Sequence, residues 1–164
     1  MASIKNEIIG SWKLLSYIEV PIDGIDSYFP VGKNPKGILI FNPDGYMSVQ
    51  ITSNEPQDFE SEDRMVASDE EFRHRLHTYI AFSGRYTVNN AEACVIYNIE
   101  TSLFPNWMGK RQRRKLDFEN DVLYQKTTEP IMSNGVRVHA YMTWQRIDRS
   151  AVSESELLLE EIEI

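Results

Sequence analysis

The chain has 164 residues and a net charge of -8, with 41% hydrophobic and 26% charged residues. That length supports one domain with a sizeable core and is short for two. The acidic balance argues against nucleic acid or an anionic membrane as partner, because both require a positive footprint.

A single cysteine, Cys94, excludes an internal disulfide, and the apolar run around it predicts burial. The N-terminal residues lack the apolar core of a secretory leader, no stretch reaches membrane-spanning length, and no Asn-x-Ser/Thr acceptor occurs. A reducing, cytoplasmic location is the expectation.

In chain order, Ile4, Ile8 and Ile9 predict a short helical turn ending at Gly10, and Trp12–Ile18 a first strand. Residues 20–36 hold three prolines and two glycines and predict a long loop, packed down by Tyr28 and Phe29. Residues 37–51 predict a hairpin, with Asn42-Pro43-Asp44-Gly45 as its turn. Its second arm alternates Tyr46, Ser48 and Gln50 with Met47, Val49 and Ile51, so the polar face is either wet or lines a cavity.

Residues 52–67 are polar and acidic and predict a loop. Ser68 with Glu71 spells a capping box, and Phe72, Leu76, Tyr79 and Ile80 then predict one apolar stripe of a helix of about three turns. Period-2 segments follow at 82–88, 93–100, 112–118, 122–127 and 136–147, with 102–109 as an apolar link and 129–135 as a loop. The acidic tail, 150–164, is set apart from a single domain over 1–149. Many short antiparallel strands with one helical interruption mean a sandwich or a closed barrel, and closure removes aggregation-prone edges.

Candidate chemistry is sparse. His74 and His77 could share a metal at i, i+3, but no further ligand is spaced to complete a set, and a solvated helix face is the better reading. His139 is expected to point outward. The run Lys110–Lys115 resembles a basic patch, yet strand alternation splits it, sending Arg111, Arg113 and Lys115 one way and Gln112 and Arg114 the other. Arg114 shares its face with Leu116 and Phe118 and should point inward, where it needs a structural ion pair or a ligand anion. No phosphate-binding loop, dinucleotide fingerprint or nucleophile elbow is present. No metal and no cofactor are expected.

Three fragments carry a family resemblance. Gly10-Ser11-Trp12 resembles the G-x-W signature of lipocalins and their calycin relatives, with Arg146 placed to pack across the Trp. Pro43–Ser48, Gly84-Arg85-Tyr86 and Ser102–Gly109 resemble the bacterial and fungal lipocalin-like domain family. The resemblance covers about residues 8–147. It implies an all-β, antiparallel, eight-stranded calycin-type barrel with one helix between strands 3 and 4. It further implies a small hydrophobic ligand or substrate inside the barrel. Some related barrels catalyse cyclisations in natural-product biosynthesis, so a cofactor-independent cyclase or isomerase is one reading and a non-catalytic carrier the other. Members often carry a His-His pair where this chain has Tyr97-Asn98, which removes that acid–base candidate. Face arithmetic then places a ligand site at Ser48, Gln50, Tyr86, Tyr97, Gln112 and Arg114, rimmed by Tyr79 and Trp107. Arg114 would anchor a carboxylate or enolate oxygen, and Tyr97 would donate a proton or stabilise an oxyanion.

Overall fold

The computed structural model describes residues 3–24 and 26–147. A short helix α1 (Ile4–Ile8) leads into strand β1 (Gly10–Pro21), followed by β2 (Lys36–Phe41), β3 (Tyr46–Thr52) and helix α2 (Asp69–His77). The chain continues through β4 (Tyr79–Asn89), β5 (Cys94–Ser102), a 3-10 turn (Pro105–Trp107) and β6 (Arg111–Glu119). It ends in β7 (Val122–Thr127), β8 (Ile131–Ser133) and β9 (Val136–Arg146). Each strand pairs antiparallel with the next through β7, which pairs with β9, and β9 pairs back onto β1. Eight strands therefore close an up-and-down barrel, and the short β8 is an appendage hydrogen-bonded to the start of β9. No helix among the described residues is long and apolar enough to cross a membrane.

The two ends of the barrel differ. Tight turns at 42–45, 90–93 and 120–121 join strands at one end, and α1 plugs that end with Ile8 fully buried. Trp12 Nε1 donates to the Ile8 carbonyl at 2.9 Å, and the Arg146 guanidinium lies over the Trp12 ring, 4.2 Å from its centroid. All the long connections, 22–35, 53–78, 103–110 and 128–135, gather at the other end and form its mouth. Chain length at that end is free to build a site because the closed end fixes the strands.

Several local expectations are corrected. α2 keeps its capping box, with Glu71 N donating to Ser68 Oγ and Ser68 N to Glu71 Oε1, but it stops at His77. Tyr79 and Ile80 belong to β4, and Phe72 and Leu76 are exposed, so the stripe does not pack into the core. Phe72 rests edge-on against Phe59 instead. In the 22–35 loop the buried anchor is Val31, while Phe29 is exposed and Tyr28 is half-buried, bridged to Glu19. The segment 129–135 contains β8 in addition to its turn. The acidic tail lies outside the described residues.

Candidate functional site

Strand alternation aims one residue in two at the lumen. On β6, Arg111, Arg113 and Lys115 are exposed, while Arg114 is 6% exposed and Gln112 is half-buried. Arg114 has no carboxylate partner among the described residues. Its Nη1 donates to the Arg113 carbonyl at 3.1 Å and its Nη2 to Gln112 Oε1 at 2.7 Å. Desolvation lowers its pKa from the ordinary value, yet a guanidinium keeps its charge at neutral pH. The inward-facing cation sits over the ring of Tyr97, 5.6 Å from the centroid.

Tyr97 is fixed by a chain of hydrogen bonds whose directions are determined. Indole N–H only donates, so Trp144 Nε1, 2.9 Å from Gln125 Oε1, forces the amide oxygen of Gln125 towards itself. The Gln125 amide nitrogen then donates to the Tyr97 hydroxyl at 2.8 Å. Tyr97 oxygen is therefore an acceptor in this pair, and its own proton has no acceptor among the described residues. Burial pushes the Tyr97 pKa up to about 12, with nearby Arg114 and the Gln125 hydrogen bond opposing the rise. At neutral pH Tyr97 is a neutral O–H donor beside a cationic N–H donor.

These groups line a void inside the lumen of about 20 Å³, together with Tyr17, Ala140, Met142 and apolar side chains. Such a space holds about one water molecule. Beyond it the mouth opens into a cleft of about 600 Å³ bounded by Val31, Leu76, Tyr79, Phe104, Trp107 and Ile131, among others. That volume lies in the usual range for small-molecule sites. Tyr17, Ile80, Trp107 and Ile131 line both spaces and form the partition between them. Trp107 is held edge-on by Phe82 and Phe104, with centroids 5.9 and 5.3 Å away.

Of the residues expected at the site, Tyr97, Arg114 and Trp107 line the inner void, Tyr79 and Trp107 line the mouth cleft, and Gln112 joins them only through its bond to Arg114. Tyr86 faces inward but belongs to the closed end, where its hydroxyl donates to the Asn42 carbonyl at 2.6 Å and its ring meets Phe41 edge-on. Ser48 and Gln50 are corrected to the outer wall. Met47, Val49 and Ile51 fill the lumen, so their neighbours in the alternation must point out. There Ser48 pairs with Ser83 across the strands, and Gln50 accepts from the Tyr79 hydroxyl.

One acidic residue at the mouth escaped the sequence reading. Glu19 is 3% exposed and accepts from Tyr17 Oη at 2.8 Å and from Ser133 Oγ. Strict alternation from Trp12 and Leu14 would turn Tyr17 and Glu19 outward. An irregularity between Leu14 and Ser16 leaves Leu15 exposed and shifts the phase, bringing both inward. Burial, reinforced by Glu19, raises the Tyr17 pKa well above its ordinary value. Gln125 was also missed, although it shares a face of β7 with buried Leu123 and Thr127.

A closed eight-stranded antiparallel barrel, sealed at one end by a Trp–Arg stack and open at the other, defines a calycin-type barrel. The chain belongs to the lipocalin-like domain family, whose profile matches residues 9–147. It is similar to a 4'-hydroxy-3'-methoxypropiophenone carrier protein of Aspergillus oryzae. That relative is 30% identical over 109 residues, which cover 63% of this chain and 98% of the relative.

Proposed function

We propose that the chain binds a small, mostly apolar molecule carrying an acceptor oxygen, and that it carries this molecule without transforming it. One observation carries the reading: among the described residues, the buried Arg114 of the lumen has no carboxylate partner, and the proton of the neighbouring Tyr97 hydroxyl has no acceptor. A buried cation of this kind costs stability unless something compensates it. A carbonyl, carboxylate or phenolate oxygen would accept from both donors, and the apolar cleft would hold the remainder of the ligand. Entry requires the Tyr17, Ile80, Trp107 and Ile131 partition to part. The similarity to a protein named as an aryl ketone carrier supports the same class of ligand. The free, buried thiol of Cys94 is in keeping with a reducing compartment such as the cytoplasm.

The second reading, a cofactor-independent cyclase or isomerase in natural-product biosynthesis, draws support from the same pair of donors. One guanidinium N–H and one phenolic O–H directed at a single oxygen would stabilise an enolate as well as bind a ketone. The separating experiment is a titration of the protein with hydroxyaryl ketones, followed through Trp fluorescence, with mass spectrometry of the recovered compound. The carrier reading expects saturable one-to-one binding and unchanged compound. A new product formed in many-fold excess over protein would overturn it in favour of the enzyme.

A further inference from the structure

The strand register places a second buried charge on the same row of the barrel wall as Arg114. Arg114 on β6 pairs with Thr127 on β7. The Thr127 hydroxyl accepts from the backbone N–H of Ala140 on β9 at 3.0 Å, and Ala140 pairs with Glu19 on β1. All four residues are buried, at 6, 1, 2 and 3% exposure, so the row reads guanidinium, small, small, carboxylate. Adjacent strands are spaced by about 4.8 Å, which puts the two charged positions roughly 14 Å apart along the curved wall.

Opposite charges buried in one lumen would ordinarily be paired, because an isolated buried charge is costly. Among the described residues each meets neutral neighbours instead: Arg114 has Gln112 and a backbone carbonyl, Glu19 has Tyr17 and Ser133. A carboxylate offers about four lone-pair sites; Tyr17 and Ser133 occupy two on Glu19, and the Tyr28 hydroxyl, shared with the Ser133 carbonyl at 3.4 Å, competes for a third. Glu19 also lines the mouth cleft, and Arg114 and Ala140 line the void beneath it. Thr127 and Ala140 put only short side chains between the charges, so a flat ring could lie across them once the Tyr17, Ile80, Trp107 and Ile131 partition has parted.

We propose that Glu19 is a second anchor of the ligand site, accepting a hydrogen bond from a hydroxyl on the ligand. The site then selects a molecule with an acceptor oxygen at one end, for Arg114 and Tyr97, and a hydroxyl donor at the other, as in a hydroxyaryl ketone. This assignment rests on the ligand-binding reading above and gives it a direction: carbonyl inward, hydroxyl at the mouth. Tyr17 and Ser133 act as positioning residues, since each holds one carboxylate oxygen and leaves a lone pair for the ligand.

The test compares 4-hydroxypropiophenone with 4-methylpropiophenone, which differ by a hydroxyl and a methyl of similar size. Dissociation constants are measured for the parent, Glu19→Gln and Glu19→Met, with melting curves to verify folding. The parent is expected to favour the hydroxyl compound by about tenfold or more, against the greater apolarity of the methyl compound. Glu19→Gln, which keeps an acceptor but loses the charge-assisted bond, should reduce that preference to a few-fold, and Glu19→Met should erase it. If Glu19→Met does not fold, Glu19→Gln still reads the effect. Equal affinity of the parent for both compounds, or full preference retained in Glu19→Gln, overturns the anchor while leaving the ligand-binding reading standing. Failure of the parent to bind either compound overturns the ligand-binding reading, and the anchor with it.

Discussion

The guanidinium of Arg146 lies 4.2 Å from the centroid of the Trp12 ring and donates to the carbonyls of Glu7 and Ile9. One side chain thus joins the last barrel strand, the first barrel strand and the N-terminal plug. Trp12 is fully buried, and its ring also meets Phe118, with centroids 6.1 Å apart. Trp12→Ala is expected to cost about 3–5 kcal/mol, as for other buried aromatics. Chemical denaturation of the variant measures the loss, and a midpoint equal to the parent's would refute this account of barrel closure.

Gly84 is held by a closer approach. A Cβ at this position would sit 2.0 Å from the carbonyl oxygen of Asn98 on the neighbouring strand, where the pairing of β4 and β5 is irregular. Backbone cannot rotate away as a flexible side chain can, so Gly84→Ala must spread two strands. The expected cost is on the order of 3 kcal/mol. A thermal melt that leaves the variant unchanged would mean that the strands yield freely there.

Much of the barrel was legible because period-2 patterns survive wherever one face is buried. The phase of β1 was not, because a single extra residue at Leu15 inverts every later position and conceals Glu19. The β3 alternation posed two possibilities for its polar face. The lumen takes Met47, Val49 and Ile51, and Ser48 and Gln50 are left outside. The β8–β9 hairpin was expected only as a loop: Asn134-Gly135, with φ values of 49° and 81°, makes its tight turn, but three strand residues are too few to show a period. Arg114 was placed inward correctly from its neighbours Leu116 and Phe118. The hydrogen bonds from Trp144 through Gln125 to Tyr97 join residues far apart in the chain, and no spacing rule could have found them.

The Tyr97 hydroxyl makes stability depend on alkaline pH. Its pKa is about 12 in the folded barrel against 10.0 ordinarily, so the folded state holds the proton more tightly than the unfolded chain. That contribution is fully present below pH 10 and is lost as pH rises towards 12, at up to about 1.4 kcal/mol per pH unit. Tyr17, also raised by burial, acts with the same sign. Urea unfolding between pH 9 and 11.5 should show falling stability, with a shallower slope in Tyr97→Phe. An identical slope in that variant would mean that Tyr97 ionises as readily folded as unfolded.

Arg114 offers the sharpest contrast between a structural and a ligand-binding role. Were the guanidinium there to support the fold, removing it would strand Gln112 and lower the melting temperature. If it awaits a ligand oxygen, the empty barrel bears a desolvated charge that its neutral partners compensate only in part. Replacing a buried charge by an apolar side chain of similar volume is often neutral or stabilising. Arg114→Met is therefore expected to melt at or above the parent temperature and to bind 4-hydroxypropiophenone roughly ten- to a hundredfold more weakly, the loss of a charge-assisted hydrogen bond of about 1.5–3 kcal/mol. Higher stability combined with weaker binding is the signature of a group retained for its ligand. A variant that melts well below the parent and still binds the compound fully would assign Arg114 to the fold alone.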